Sequence, residues 1–166
     1  MRRGSCCGIV KTSQRVIDMS MVCTVRGSCL CDDVKFEITG PLSRPLNCHC
    51  SLCRKQHAAP FRSRARAQIK DFRWVEGEHL VKYYETPSGY ERGFCRECGS
   101  PILNRTGPNW KGAAQHSQSL AQYGIPLAIL DDPLVRPACH VFVGSKAPWF
   151  EITDDLPQYV EYAPKT

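Results

Sequence analysis

Seven of the chain's eleven cysteines fall into three short clusters. They read Cys29-Leu30-Cys31, Cys48-His49-Cys50-Ser51-Leu52-Cys53 and Cys95-Arg96-Glu97-Cys98-Gly99. The last has the form of a metal knuckle. A Cys-x-x-Cys turn followed by Gly aims two sulfurs at one point, about 2.3 Å from a zinc ion. Two sulfurs do not complete a tetrahedral site, so a second pair must come from elsewhere. Pairing Cys29 and Cys31 with Cys95 and Cys98 closes a four-sulfur site and leaves Cys48, Cys50 and Cys53 together. The other pairing takes two of the middle three and leaves Cys29 and Cys31 as a lone, weaker pair. Spacing favours the first arrangement. Three protein ligands with a free fourth position is the composition of a reactive zinc site. A histidine closing that position would make the site inert. In a Cys-His-Cys strand, His49 points away from its neighbours, so His57 is the stronger closing ligand. Spacing alone leaves the open and closed forms balanced.

The rest of the chain must hold these clusters in place. Its 166 residues suffice for one domain with a core, and 42% apolar and 23% charged content is ordinary for a globular protein. No apolar run reaches the ~18 residues of a membrane span, and none of signal-peptide length follows Met1-Arg2-Arg3. An odd cysteine count in such a chain argues against a disulfide framework and for a reducing, cytoplasmic setting. The formal charge is +6. Arg2, Arg3, Lys11, Arg15 and Arg26 against Asp18 put +4 into residues 1–26, leaving +2 for the remainder. Seven thiolates and two zinc ions would bring that remainder near −1, a poor footprint for a phosphate-backbone binder. Nucleic acid is therefore not the expected partner, and neither is a membrane.

Residues 1–26, with Cys6, Cys7 and Cys23, read as a flexible extension, and 27–166 as the folded domain. Val34, Phe36 and Ile38 alternate with charged residues, as a half-buried strand does. Residues 51–57 fit a short helical turn after the middle cluster. Residues 61–67 alternate again, placing Arg62, Arg64 and Arg66 on one face. Phe72 and Trp74 mark a strand that turns at Glu76-Gly77-Glu78 into residues 80–84. Later strands are expected at 126–130 and 139–143, and a polar helix over Ala113–Gln122. Many short strands between Gly/Pro turns indicate a mainly antiparallel β domain. Trp74 and Trp149 read as core cover, His140 as a satisfied core histidine, and Cys139 as a small buried hydrophobe.

The cluster residues carry a family likeness. Gly27-Ser28-Cys29-Leu30-Cys31, Asn47-Cys48-His49-Cys50-Ser51-Leu52-Cys53-Arg54 and Phe94-Cys95-Arg96-Glu97-Cys98-Gly99-Ser100-Pro101 resemble the glutathione-dependent formaldehyde-activating enzyme and centromere protein V family. So does the tail from His140 to Trp149 and on to Tyr159. Two positions depart from the family pattern: Asp32 and Ala58 stand where glycine is usual, and residues 108–125 match nothing in it.

The resemblance implies a β-tent of antiparallel sheets. It implies a structural zinc on Cys29, Cys31, Cys95 and Cys98, and a second, catalytic zinc on Cys48, Cys50 and Cys53. The activity it implies is that of a carbon–sulfur lyase or S-(hydroxymethyl)glutathione synthase acting on a small thiol such as glutathione. Three thiolates make the second site a weak Lewis acid, better suited to holding a substrate thiolate than to polarising a carbonyl. A thiol with two carboxylates needs cations. Arg54, adjoining Cys53, is the expected substrate-binding residue, while Arg62, Arg64 and Arg66 read as a solvated basic face. The competing expectation is a non-catalytic, zinc-stapled module that binds protein or nucleic acid.

Overall fold

Phe36 and Ile38 project from one side of β2 (Lys35–Ile38), and Lys35 and Glu37 from the other. That alternation buries one face and leaves the other near water. A computed structural model describes residues 24–112, 121–131 and 135–164. In it β2 is the middle of a three-stranded antiparallel sheet, flanked by β1 (Val25–Ser28) and β5 (Phe72–Glu76). The expected extension over residues 1–26 lies outside the described residues up to residue 23, and β1 already begins at Val25.

The second sheet has eight strands in the order β11-β10-β3-β4-β9-β8-β7-β6. These are β3 (Ser43–Cys48), β4 (Arg62–Gln68), β6 (Val81–Glu85), β7 (Tyr90–Cys95), β8 (Pro101–Thr106), β9 (Gln122–Pro126), β10 (His140–Val141) and β11 (Gln158–Tyr159). Pairing is antiparallel except at one end, where β10 runs parallel to both β3 and β11. One α-helix is present among the described residues, α1 (Ser51–His57), over the span the sequence indicates. The protein is thus mainly β, as expected.

The two sheets share one core. Val34, Phe36 and Ile38 come from the small sheet side, and Ala65, Ala67, Ile102, Leu103 and Ile125 from the large one. Phe36 stacks on Phe72 at 5.1 Å, and Trp74 meets both edge-on, so Trp74 does cover the core. Trp149 does not: it is 72% exposed. The turn at Gly77 passes the chain from the small sheet into β6, the edge of the large one. Gly77 has φ 71°, and a Cβ there would lie 1.9 Å from the Asp33 carbonyl oxygen, so a side chain is excluded.

Two strands differ from their expected positions. The strand expected at 126–130 is β9, four residues earlier at its start, and Leu127–Ile129 form a 3-10 turn instead. Pro126 has no N–H to continue a ladder, which ends β9 there. The strand expected at 139–143 is cut to His140–Val141, because Phe142 takes a left-handed φ of 58° and opens another 3-10 turn. Most of the helix expected over Ala113–Gln122 lies outside the described residues, and Gln122 opens β9. Among the described residues, no helix is long and apolar enough to cross a membrane.

Candidate metal centres

The sulfurs of Cys29, Cys31, Cys95 and Cys98 lie within 4.8 Å of one another. Cys29 and Cys31 occupy the tight turn from β1 to β2. There the Cys29 N–H donates to the Val34 carbonyl and the Asp32 N–H to the Cys29 carbonyl, both at 3.0 Å. Cys95 ends β7, and Cys98 lies in the turn to β8. That turn closes by a Gly99 N–H to Cys95 carbonyl bond of 2.9 Å, with Gly99 at φ 76°. Ser100 joins the two turns: its hydroxyl accepts from the Leu30 N–H at 3.0 Å and lies 3.3 Å from Cys98 Sγ. Desolvation pushes the Cys98 thiol up, but the Ser100 hydroxyl and nearby backbone N–H groups outweigh it and bring Cys98 down to about 5. Cys31 and Cys95 sulfurs are 3.8 Å apart. Tetrahedral bonds of about 2.3 Å would set ligand sulfurs about 3.8 Å apart, so the cluster suits a zinc-sized ion.

The second cluster is built by the end of β3 and the start of α1. Cys48 is the last residue of β3, and Cys50 is the N-cap of α1, its sulfur accepting from the Cys53 N–H at 3.4 Å. Sulfurs of Cys48, Cys50 and Cys53 all lie within 4.8 Å of one another, and neither His49 nor His57 belongs to this group. Bonds from Cys48 and Cys50, then the charges of Arg62 and Arg92, hold the Cys53 thiol far below its ordinary value. Bonds with Cys50 and Cys53 push Cys48 up in turn. Guanidinium charge therefore stands beside the three sulfurs. Each cluster can hold a metal ion.

Next to β3 runs β4, with Arg62 directly opposite Cys48 in register. Alternation along β4 sends Arg62, Arg64 and Arg66 to one face and Ala65 and Ala67 into the core. The arginine face is not a solvated surface, as the sequence led us to expect. It forms one side of a cavity of about 520 Å³ that Cys48 and Cys53 also line. Tyr90 and Arg92 of β7 and Asn104 of β8 complete the floor, and Trp110 and Lys111 stand in the wall. The described parts of the unmatched stretch, at 110–112 and 122–124, thus border the cavity. Arg62 is buried, and its Nη2 donates to the Gly124 carbonyl at 2.8 Å. Desolvation lowers it to about 10, which leaves it a cation at neutral pH. Arg66 Nη1 donates to Gln122 Oε1 at 3.1 Å, and Arg92 donates to Gln56 Oε1. Arg54 is placed elsewhere. Its Nε donates to the His49 carbonyl at 3.2 Å, and it does not line this cavity.

His49 points away from the sulfurs, as strand geometry demands. Its Nε2 lies 2.7 Å from His140 Nδ1, and His140 Nε2 lies 3.1 Å from the Asp154 carboxylate. Asp154 can only accept, so His140 Nε2 carries a proton, and with a neutral His140 its Nδ1 accepts from His49 Nε2. His140 is the satisfied buried histidine the sequence suggests. Desolvation foremost, then the repulsion that a second proton on the facing His140 ring would exert, lower His49 to about 4. This chain of three groups reaches from the C-terminal segment to the cysteine loop. Sequence reading missed Asp154 and its link to His49. Cys139 is half-buried and packs on the Leu46, Cys48 and Val141 cluster.

Comparison with known proteins agrees with this architecture. A family model described as glutathione-dependent formaldehyde-activating enzyme matches residues 24–145. A Halomonas elongata protein, provisionally named as a glutathione-dependent formaldehyde-activating enzyme, is 29% identical over 136 residues, covering 77% of this chain and 80% of that protein. The crystal structure of a Rhodobacter sphaeroides protein superposes with a TM-score of 0.50 at 24% identity, over 68% of this chain and 97% of the other, and shares the fold. With the cysteine clusters of both sites inside the matched span, the chain belongs to the glutathione-dependent formaldehyde-activating enzyme family.

Proposed function

We propose that this chain is a zinc-dependent carbon–sulfur lyase, or S-(hydroxymethyl)glutathione synthase-like enzyme, acting on a small thiol adduct in a reducing compartment. The observation that carries it is the three-sulfur cluster on the wall of a cation-lined cavity. Clustered thiolate donors suit zinc, and the proposal gives each cluster one zinc ion. At a site with three protein ligands, zinc supplies a position for a substrate sulfur and favours its thiolate.

The chain's own residues supply the rest. Arg62 and Arg92 stabilise negative charge at the sulfurs. Cavity cations hold the acidic end of the thiol, and Tyr90 offers a hydroxyl to an oxygen on which charge develops. In the forward direction a C–S bond forms between the thiol sulfur and formaldehyde carbon, and the thiol proton ends on the new hydroxyl. Lyase action is the reverse. Two measurements on the purified chain test this together: zinc content, and formaldehyde consumption with and without glutathione. We expect two zinc ions and glutathione-dependent consumption. Two zinc ions with no turnover of any thiol adduct would overturn the enzyme and favour a zinc-stapled binding module.

A further inference from the structure

The large sheet carries a second cavity beside the arginine-lined one. Arg66, Gly124, Asn104, Arg92 and Tyr84 are direct partners in register across β4, β9, β8, β7 and β6. Residues directly opposite one another share a face, so this row runs along the side of the sheet turned away from the core. On that side lies α1: Gln56 accepts from Arg92, and its side-chain nitrogen lies 3.3 Å from Asn104 Oδ1. Toward β4 from this contact is the cavity already described. Toward the edge strand β6 is another, of about 620 Å³, a size that suits a small molecule. Arg92 and Ser88 line both.

The second cavity differs from the first in character. Leu52, Lys55 and Gln56 stand at i, i+3 and i+4 of α1, so one side of the helix forms one wall. The sheet supplies Tyr84 and Phe94, with Pro87 and Pro101 beside them. Leu52 and Tyr84 are each 59% exposed, apolar surface that an occupant would remove from water. Lys55 is an exposed cation without an ion pair among the described residues, where no acidic side chain lines the cavity. The two rings suit a flat apolar body, and the ammonium beside them suits an anionic head.

We propose that this cavity is a binding site separate from that of the thiol, and that it takes a small carboxylate with an aromatic body. The ring lies against Leu52, Tyr84 and Phe94, and the carboxylate meets Lys55. The inference goes beyond the function proposed above and stands on the cavity alone.

Calorimetric titration of the zinc-loaded chain with 2-naphthylacetate tests it, with its uncharged amide, 2-(2-naphthyl)ethylamine and acetate as comparisons. The acid should bind at least about tenfold more tightly than the amide or the amine, and acetate should show no saturable binding. Lys55→Gln should bring the acid to within about twofold of the amide and leave the amide unchanged. Tyr84→Ser, at an exposed position of the edge strand, should weaken acid and amide alike by at least about threefold. Amide or amine binding as tightly as the acid overturns the inference, and so does a Lys55→Gln chain that binds the acid as the native chain does. A larger loss in the double variant Arg64→Gln, Arg66→Gln than in Lys55→Gln puts the probe in the arginine-lined cavity and overturns it too. Displacement of the bound acid by glutathione would make the two cavities one thiol site, with the same result. None of these outcomes touches formaldehyde turnover, which tests the proposed function by itself.

Discussion

The two cysteine clusters use the same ligand atoms and differ in almost everything around them. The four-sulfur cluster joins a turn of the small sheet to a turn of the large one, across 64 residues of sequence from Cys31 to Cys95. Its neighbours are backbone N–H groups and the Ser100 hydroxyl, and it does not line the arginine-rich cavity. The three-sulfur cluster sits at one end of the large sheet, between β3 and α1. Its neighbours are guanidinium groups and a space large enough for a small molecule. On the proposed function, the difference assigns one ligand chemistry two purposes. A complete ligand set between the two sheets would contribute to folding, while an incomplete set across one strand-to-helix junction, beside a charged cavity, would be available to react.

The largest effect should come from breaking the two clusters separately. Cys95→Ser removes a ligand from the cluster that joins the sheets, where structural zinc is worth on the order of 10 kcal/mol of folding free energy. That is comparable to the whole stability of a typical domain, about 5–15 kcal/mol, so the variant should lose its cooperative thermal transition. Cys50→Ser leaves the sheets tied. It should keep the near-native circular dichroism spectrum and lose formaldehyde turnover by at least about a hundredfold. Equal unfolding of both variants would erase the distinction between them.

Acid should separate the regions more gently. His49 and His57 flank the three-sulfur cluster, and desolvation lowers each to about 4. In the unfolded chain an ordinary histidine titrates near ~6.5. Between these values the unfolded state binds more protons than the folded one, so stability is full above about 6.5 and declines as pH falls toward 4. His57 Nε2 has no hydrogen-bond partner, so His57→Leu leaves no protein group newly unpaired at that nitrogen. Urea midpoints measured from pH 7 to 5 should fall for the native chain and fall less for His57→Leu. Identical slopes would place the acid sensitivity in the thiolates of both clusters instead.

Much of this contrast is legible in the residues themselves. Cysteine spacing indicated which sulfurs group together, because turns fix short-range geometry. The strand period correctly put Arg62, Arg64 and Arg66 on one face but could not say what that face opens onto. Only the pairing of β4 with β3 and β9 makes it a cavity wall. The same limit hid the change of sheet at Gly77, since period 2 describes a strand and not its partners. Arg54 adjoins Cys53 in sequence, yet the helix turns its guanidinium onto the His49 carbonyl. The His49–His140–Asp154 chain spans separations of 91 and 14 residues, and no local pattern encodes such contacts.

The smallest predicted effect concerns Asp32 and Ala58, which stand where the family resemblance implies glycine. Asp32 lies beside the four-sulfur cluster with φ 64°, and Ala58 caps α1 with φ 47° and ψ 41°. Left-handed backbone costs an L-residue roughly 1–2 kcal/mol, less for Asp than for Ala because its side chain can bond locally. Asp32 also has a compensation, a 3.1 Å ion pair with Lys35 that is worth little at such exposure. Ala58 is exposed, and its backbone N–H bonds the Arg54 carbonyl whatever its side chain. Glycine relieves the strain at both positions but also gives the unfolded chain more freedom, which offsets about 0.4–1 kcal/mol of the gain. Ala58→Gly should therefore raise stability by up to about 1 kcal/mol, and Asp32→Gly should change it by less than about 0.5 kcal/mol. Urea midpoints of the two variants read this difference directly. A loss of stability in Ala58→Gly would mean that the alanine methyl contributes at the α1 terminus in a way its exposure does not suggest.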